Sequence, residues 1–296
     1  MTDVKMASAP IQEETVRKKS KNTVFRRFLK NKLATAGLII LIIMILLAIF
    51  APVLATHDYQ AVDPIHANTP PNSEHLLGTD QYGRDLFSRM LYGARYSLAI
   101  GICSQLLAVV IGVILGSLAG YFGGFVDNLI LRFTDIFQSI PSTLLAIVIS
   151  QALGSGFIQT MIALAVGGVP VAIRMLRASM LTVRGQEFVE AAEAIDCGSV
   201  RTMFKHVLPN SLAPMIITTS LGIGRMIMTS AGLSYLGLGV QEPAAEWGAI
   251  LSLGKSMIRY HPYQVVVPGV AIALIILAFN LMGDGLRDAL DPKLRT

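Results

Sequence analysis

Six stretches of this chain are apolar for long enough to cross a bilayer, and the segment between the fourth and fifth of them is conspicuously polar. A helix crossing about 30 Å of hydrocarbon needs roughly 17–25 residues. Runs of that kind fall at about 33–55, 96–120, 128–151, 157–178, 210–235 and 264–284, and they predict an all-α membrane protein with six transmembrane helices. Gly120 to Asn128 (GYFGGFVDN) predicts a tight turn between the second and third. Small residues recur inside the spans, Gly112 with Gly116 and Gly222 with Gly224, which lets helix backbones approach closely in lipid. With no internal repeat or low-complexity linker, the spans are expected to pack as one unit.

The polar exception reads EAAEAIDCGSVRTMFKHVLPN, from Glu190 to Asn210. Phe188, Ala192 and Ile195 fall at i, i+4 and i+7. Val200, Met203, Phe204 and Val207 fall at i, i+3, i+4 and i+7. Two short amphipathic helices follow from that spacing. Asp196-Cys197-Gly198-Ser199 supplies turn chemistry, with Ser199 as a candidate cap. Leu208-Pro209 ends the second helix and opens the next span, since proline is tolerated in a first turn. Ala191, Ala192 and Ala194 keep one surface thin enough for close approach by another protein. Periodicity alone leaves two readings open: a hairpin lying on lipid headgroups, or a docking element for a cytoplasmic partner.

Charge decides which side the insert faces. The chain is 53% hydrophobic and 15% charged, with a mean hydropathy of +0.60, where a soluble domain carries about 25% charged residues. Residues 1–32 hold nine Lys/Arg against three acids. A basic tail before a first span fixes topology more often than it binds nucleic acid, so no nucleic-acid partner is expected. The N-terminus is then cytoplasmic, and six crossings place the tail 285–296 there too. The loop within 56–95 and the loop 236–263 fall outside, and the insert within 184–209 falls inside among Arg174, Arg177, Arg184, Arg201 and Lys205. The outer segment 56–92 has five acids against two bases, which agrees. Val53-Leu54-Ala55 loosely resembles a cleavage site, but the tail and apolar run before it are too long for a signal peptide, so the first span is expected to stay. Cys103 and Cys197 are expected at different depths, with no disulfide.

The order Glu190-Ala191-Ala192, a turn, then an apolar helix ending Leu208-Pro209-Asn210 resembles the EAA loop of bacterial ABC importer permeases. The glycine of that motif, six residues after the glutamate, falls here on Asp196, with Gly198 two residues later as a candidate substitute for the turn. HLLGTDQYGRD (His75 to Asp85), GARYSL (Gly93 to Leu98), YFGG (Tyr121 to Gly124), EWG (Glu246 to Gly248) and FNLMGDGLRDALDP (Phe279 to Pro292) are similar to the second permease subunit of dipeptide, oligopeptide and nickel importers. The likeness runs over about residues 25–296. It implies a bacterial inner-membrane subunit that is not itself an enzyme. Implied partners are a homologous permease, two P-loop ATPase subunits carrying ATP and Mg²⁺, and an extracytoplasmic binding protein. It also implies that Glu190, Ala191, Ala192, Gly198, Met203, Phe204, Leu208 and Pro209 couple to an ATPase. The cargo it implies is a di- or oligopeptide, with nickel or a metal chelate as the alternative.

Other candidates stand on their own residues. No Gly-x-x-x-x-Gly-Lys-Ser/Thr loop occurs, so nucleotide sites are expected on another polypeptide. Arg225 is set deep in the fifth span, where a charge costs at least about 2.5 kcal/mol. It is expected to line a pathway and attract a carboxylate, to pair with Asp127 or Asp135, or to snorkel. Asp80, Arg84 and Asp85 are expected on an amphipathic outer segment with Leu86, Phe87 and Met90 as its apolar side. Glu246 and Trp247 lie in the second outer loop. All five are candidates for contact with a binding protein, against a purely structural role or, for Trp247, interfacial anchoring. His57, Asp58, Asp63, His66, Glu74 and His75 invite a metal reading, but histidines nine residues apart match no short-spacing ligand motif. A solvated loop without a resident metal or cofactor is expected there, with transient contact with an incoming metal chelate as the alternative. A secondary transporter would normally show intramembrane acids or broken helices, and no clear buried acid is legible; a mere scaffold would leave Arg225 and the elaborate outer loops unexplained.

Overall fold

The computed structural model describes residues 25–290; Lys5, Arg17 to Lys21, Lys293 and Arg295 lie outside them. Asn31 opens the first span, α1 (Lys32–Ile49), by accepting hydrogen bonds from the backbone of Leu33 and Ala34, which satisfies two otherwise orphaned helix donors. Its amide also donates to Asp288 at 3.1 Å, fastening the start of α1 to the end of the last span, α10 (Tyr263–Leu290). Gly285 makes the fit possible, because a Cβ there would lie 2.1 Å from the Cβ of Ala34.

The second helix, α2 (Leu86–Phe122), has 37 residues and is about 55 Å long, well beyond hydrocarbon thickness. It starts at Leu86 rather than near 96, because Asp85 caps it by accepting from Ser88 N at 2.8 Å. It stops at Gly123, whose φ of +66° suits glycine.

The third span departs most from expectation. It is two helices, α3 (Gly124–Gln138) and α4 (Ser142–Leu153), bent by 84°. Neither segment, at about 22 and 18 Å, crosses alone. Pro141 is the reason: it lacks an N–H and pushes the preceding residue out of helical conformation. The described residues therefore contain five helices long and apolar enough to span, with this bent pair as the sixth candidate.

The fourth span, α5 (Phe157–Arg184), lies along α2. Gly112, Gly116 and Gly120 face it, and a Cβ on each would meet Ala172 Cβ at 2.3 Å, Ile173 O at 2.8 Å and Met180 Cβ at 2.6 Å. This is close small-residue packing along one stripe. The insert follows as α6 (Glu187–Ala194) and α7 (Ser199–Thr202). The fifth span, α8 (Ala213–Tyr235), packs between α2 and α10, and a short helix, α9 (Trp247–Gly254), lies in the outer connection.

Candidate functional site

The insert is built on a buried foot. Val189, Met203 and Val207 turn inward against Leu176, Met180 and Val183 of α5 and Tyr121 of α2, and Ala192 is buried as well. The predicted stripes are thereby corrected. The helices are amphipathic, but Phe188, Ile195, Val200 and Phe204 point outward, Ile195 being 80% and Phe204 58% exposed. Apart from Ala192, Met203 and Val207, then, the stripe residues face away from the bundle. Of the EAA-loop residues, Glu190, Ala191, Gly198 and Pro209 are exposed, Ala192 and Met203 are buried, and Leu208 is half-buried.

The turn is also made differently. Asp196, not Gly198, takes the left-handed conformation, with φ +56°. Cys197 N donates to Ala192 O at 3.1 Å and Asp196 N to Glu193 O at 3.0 Å, the paired closure of a helix end that normally ends on glycine. Aspartate is among the few other residues that tolerate this region. Ser199 makes no capping bond, since Gly198 occupies the cap position. After Thr202 the chain widens into a π-turn over Met203–Val207, where Leu208 N reaches back to Met203 O. Pro209, without an N–H, cannot continue a regular ladder there.

In the bundle, an open cavity of about 170 Å³ is lined by Gln105, Ser142, Met175, Thr218, Arg225 and Thr229, among others. Arg225 is exposed into it. Its two candidate partners are taken: Asp127 pairs with Arg177 and Asp135 with Arg174. Among the described residues no carboxylate oxygen comes within 4.0 Å of the Arg225 guanidinium, so the expected ion pair is not formed.

The connections between α1 and α2 and between α8 and α10 fold into a cap with a charged interior. Asp80 accepts from Tyr82 N at 2.8 Å and Arg84 Nε at 2.7 Å. Arg84 and Arg89 both donate to Glu242, the latter at 3.0 Å from Nη2, and Arg89 Nη1 donates to Tyr59 O at 3.3 Å. Burial works against the Arg84 charge, but Glu242 and Asp80 outweigh it and hold the guanidinium above its ordinary pKa. Glu246 caps α9 by accepting from Ala249 N at 2.9 Å. Burial pushes its carboxyl above the usual range, opposed by bonds from Ser234, Ala249, Gly248 and Ser97. Trp247 is 1% exposed, donates to Met90 O at 3.0 Å and lies over Gly93, where a Cβ would come 2.7 Å from its ring. Asp80, Arg84, Asp85, Glu246 and Trp247 are thus all buried. The segment holding Asp80, Arg84 and Asp85 is not a surface helix, and these five side chains shape the cap from within instead of projecting from it.

Arg89 and Glu242 are participants the sequence reading missed. The signal was an arginine among Phe87, Met90 and Leu91, which needs an acid, though Glu242 is 153 residues away. Removing one member of a buried pair costs about 3–5 kcal/mol, and Glu242 is partly solvated. Arg89→Met should accordingly lower the thermal midpoint in detergent by several degrees, with partial recovery on adding Glu242→Gln. Equal melting of Arg89→Met and the parent would mean the clasp contributes nothing. In the same cap, His57, His75 and Asp85 offer ligand atoms within 4.8 Å of one another, a convergence the nine-residue spacing concealed.

Residues 112–296 match the family described as binding-protein-dependent transport system inner membrane component, and residues 22–71 the N-terminal TM domain of oligopeptide transport permease C. The dipeptide transport system permease protein of Alkalihalophilus pseudofirmus is 44% identical over 272 residues, covering 92% of this chain and 90% of that protein. The oligopeptide transport system permease protein of Bacillus subtilis is 40% identical over 91% of this chain and 88% of that protein. A glutathione transport system permease protein of Escherichia coli is 40% identical over 92% of this chain and 90% of that protein. Among solved structures, an inward-facing form of the MetNI methionine ABC transporter aligns with a TM-score of 0.57 at 20% identity, over 69% of this chain and 97% of that one; that likeness concerns the fold alone.

Proposed function

The chain belongs to the family of binding-protein-dependent transport system inner membrane components, and from that premise we propose that it is the permease subunit through which di- or oligopeptides enter a bacterial cell, driven by ATP hydrolysed elsewhere. It is a multi-pass, non-enzymatic membrane subunit of an ABC importer. The observation that carries the coupling part of the reading is the outward set Phe188, Ile195, Val200 and Phe204 on an insert whose Val189, Ala192, Met203 and Val207 are buried. An exposed apolar patch rimmed by Glu190, Arg201 and Lys205 suits a protein cleft. Two P-loop ATPases, a homologous permease and an extracytoplasmic binding protein complete the assembly. Both termini and the insert lie in the cytoplasm, supported by the arginines around the insert and the acids of the outer segment.

Transport then proceeds by alternating access. Closure of the ATPases on ATP presses the insert, and its buried foot passes the displacement to α2 and α5. Coupling of this kind requires each state to bind ATP or substrate with different affinity. The cap, shaped by Trp247 and the arginine clasp, receives the binding protein.

The peptide reading is supported by the names of the relatives and by the unpaired Arg225 in the cavity. A peptide brings its own carboxylate to that cation. Hydrogen bonds to charged groups contribute about 1.5–3 kcal/mol, so Arg225→Leu should raise the KM for ATP-driven peptide uptake in proteoliposomes roughly tenfold. Peptides amidated at the C-terminus should be taken up equally by both proteins. Unaltered kinetics with free-acid peptides would remove Arg225 from the pathway.

A further inference from the structure

The segment between α1 and α2 brings three metal-ligating side chains to one point. His57 follows the turn that ends the first span, His75 sits in the middle of the loop, and Asp85 caps α2. Asp85 Oδ1 faces both imidazoles, at 3.0 Å from His75 Nδ1 and 3.8 Å from His57 Nδ1. The two rings lie 4.7 Å apart between centroids. We propose that His57, His75 and Asp85 form a structural site for a divalent transition-metal ion of the zinc class, clipping the end of the first span to the start of the second.

Hydrogen bonding explains only part of this arrangement. The His75–Asp85 contact is an ordinary hydrogen bond, but at 3.8 Å His57 is too far to share it, and its near partner is Thr56 Oγ1 at 3.0 Å. Two imidazoles therefore converge on one oxygen that bonds only one of them. Around a tetrahedral ion with bonds of about 2.0–2.2 Å, neighbouring donors stand roughly 3.3–3.5 Å apart. The two separations to Asp85 bracket that value, and all three ligand atoms lie within 4.8 Å of one another, so the two imidazoles need only draw together around an ion.

The surroundings fit as well. The other carboxylate oxygen is held by Ser88 N at 2.8 Å and Thr56 Oγ1 at 3.4 Å, which orients Oδ1 as outer-sphere contacts do for metal ligands. Arg84 and Arg89, the nearest cations in sequence, are matched by Asp80 and Glu242, leaving the Asp85 charge uncommitted to them. The Asp85 side chain is 1% and that of His75 9% exposed, whereas that of His57 is 34% exposed, so an ion has a way in and then little water around it. Two imidazoles and one carboxylate favour zinc, nickel, cobalt or copper over magnesium or calcium. His66, with its Nδ1 on Asp63 at 2.7 Å, is a bystander, and water completes the coordination.

The test uses the full chain with its partner subunits, purified through a tag without histidines and stripped with chelator. Titration with Zn²⁺, and with Co²⁺ as a spectroscopic probe, should give one equivalent per chain and a rise of about 2–4 °C in the thermal midpoint. His57→Gln leaves the helix cap and the His75–Asp85 bond intact. It should melt like the parent without metal, yet bind at least about tenfold more weakly and lose the Co²⁺ absorption. Substoichiometric binding by the parent would overturn the proposal. So would an equivalent of zinc that His57→Gln retains at full affinity, or equal stabilisation by Mg²⁺.

Discussion

Phe204→Asp should abolish ATP-driven uptake while leaving the spans folded. Phe204 is 58% exposed, so the folded chain alone loses little when it changes. In the proposed assembly the same side chain enters an ATPase cleft. Truncating a central aromatic anchor there costs about 2 kcal/mol or more, roughly thirtyfold in affinity, and a desolvated carboxylate adds to that. Co-purification of the ATPases should be lost together with uptake, at an unchanged melting temperature. Met203→Asp makes the contrast. Met203 is 3% exposed and sits in the foot of the insert, so that variant should fail by misfolding. If Phe204→Asp keeps its ATPases and transports at the parental rate, the docking reading is wrong.

Gly116→Leu should be strongly damaging to the bundle. A bare Cβ at that position already comes 2.8 Å from Ile173 O and 3.0 Å from Leu176 Cβ. Overpacking of side chains typically costs about 1–3 kcal/mol, and here part of the obstruction is a helix backbone that cannot rotate aside. Relief requires α2 and α5 to separate along their shared stripe, opening their joint contact with the insert. The expected result is little or no monodisperse protein after gentle extraction. Gly185→Ala is the control, because nothing lies within 4 Å of a Cβ there and its φ is −81°; it should extract and melt normally. Parental yield and melting for Gly116→Leu would refute this account of the α2–α5 contact.

Much of this was legible in the residues. The spans announced themselves by hydropathy, the insert by its polarity, and the end of α2 by Gly123. Hydropathy averaging runs straight through Pro141, however, because a missing N–H does not make a residue less apolar, so the elbow in the third span was hidden. Period 3.6 found the insert helices but could not say which apolar residues meet their own bundle and which are left for another protein. Val189 and Phe188 are adjacent, yet one is 1% and the other 41% exposed. The left-handed turn was placed on Gly198 because glycine adopts it most cheaply, while the local hydrogen bonds close on Asp196. The charged interior of the cap was least legible. Its partners lie more than 150 residues apart, so a reading of local spacing saw only solvated charges. Glu246 is a buried acid that composition gave no reason to expect.

One consequence follows from the length of α2. Its outer tip is gripped by the cap, through Asp85, Arg89 and the Trp247 ring over Gly93. Its inner tip carries Tyr121 into the foot of the insert, where Arg184 donates to the Tyr121 carbonyl at 2.6 Å. Between those tips there is no proline, whereas α5 and α10 each contain one and the third span is broken at another. Proline is one of the common causes of sharp bends in helices, beside Gly/Ser pairs and π-bulges. The helix is therefore one continuous element about 55 Å long: an angular displacement imposed at the insert is carried toward the cap without a proline joint along the way.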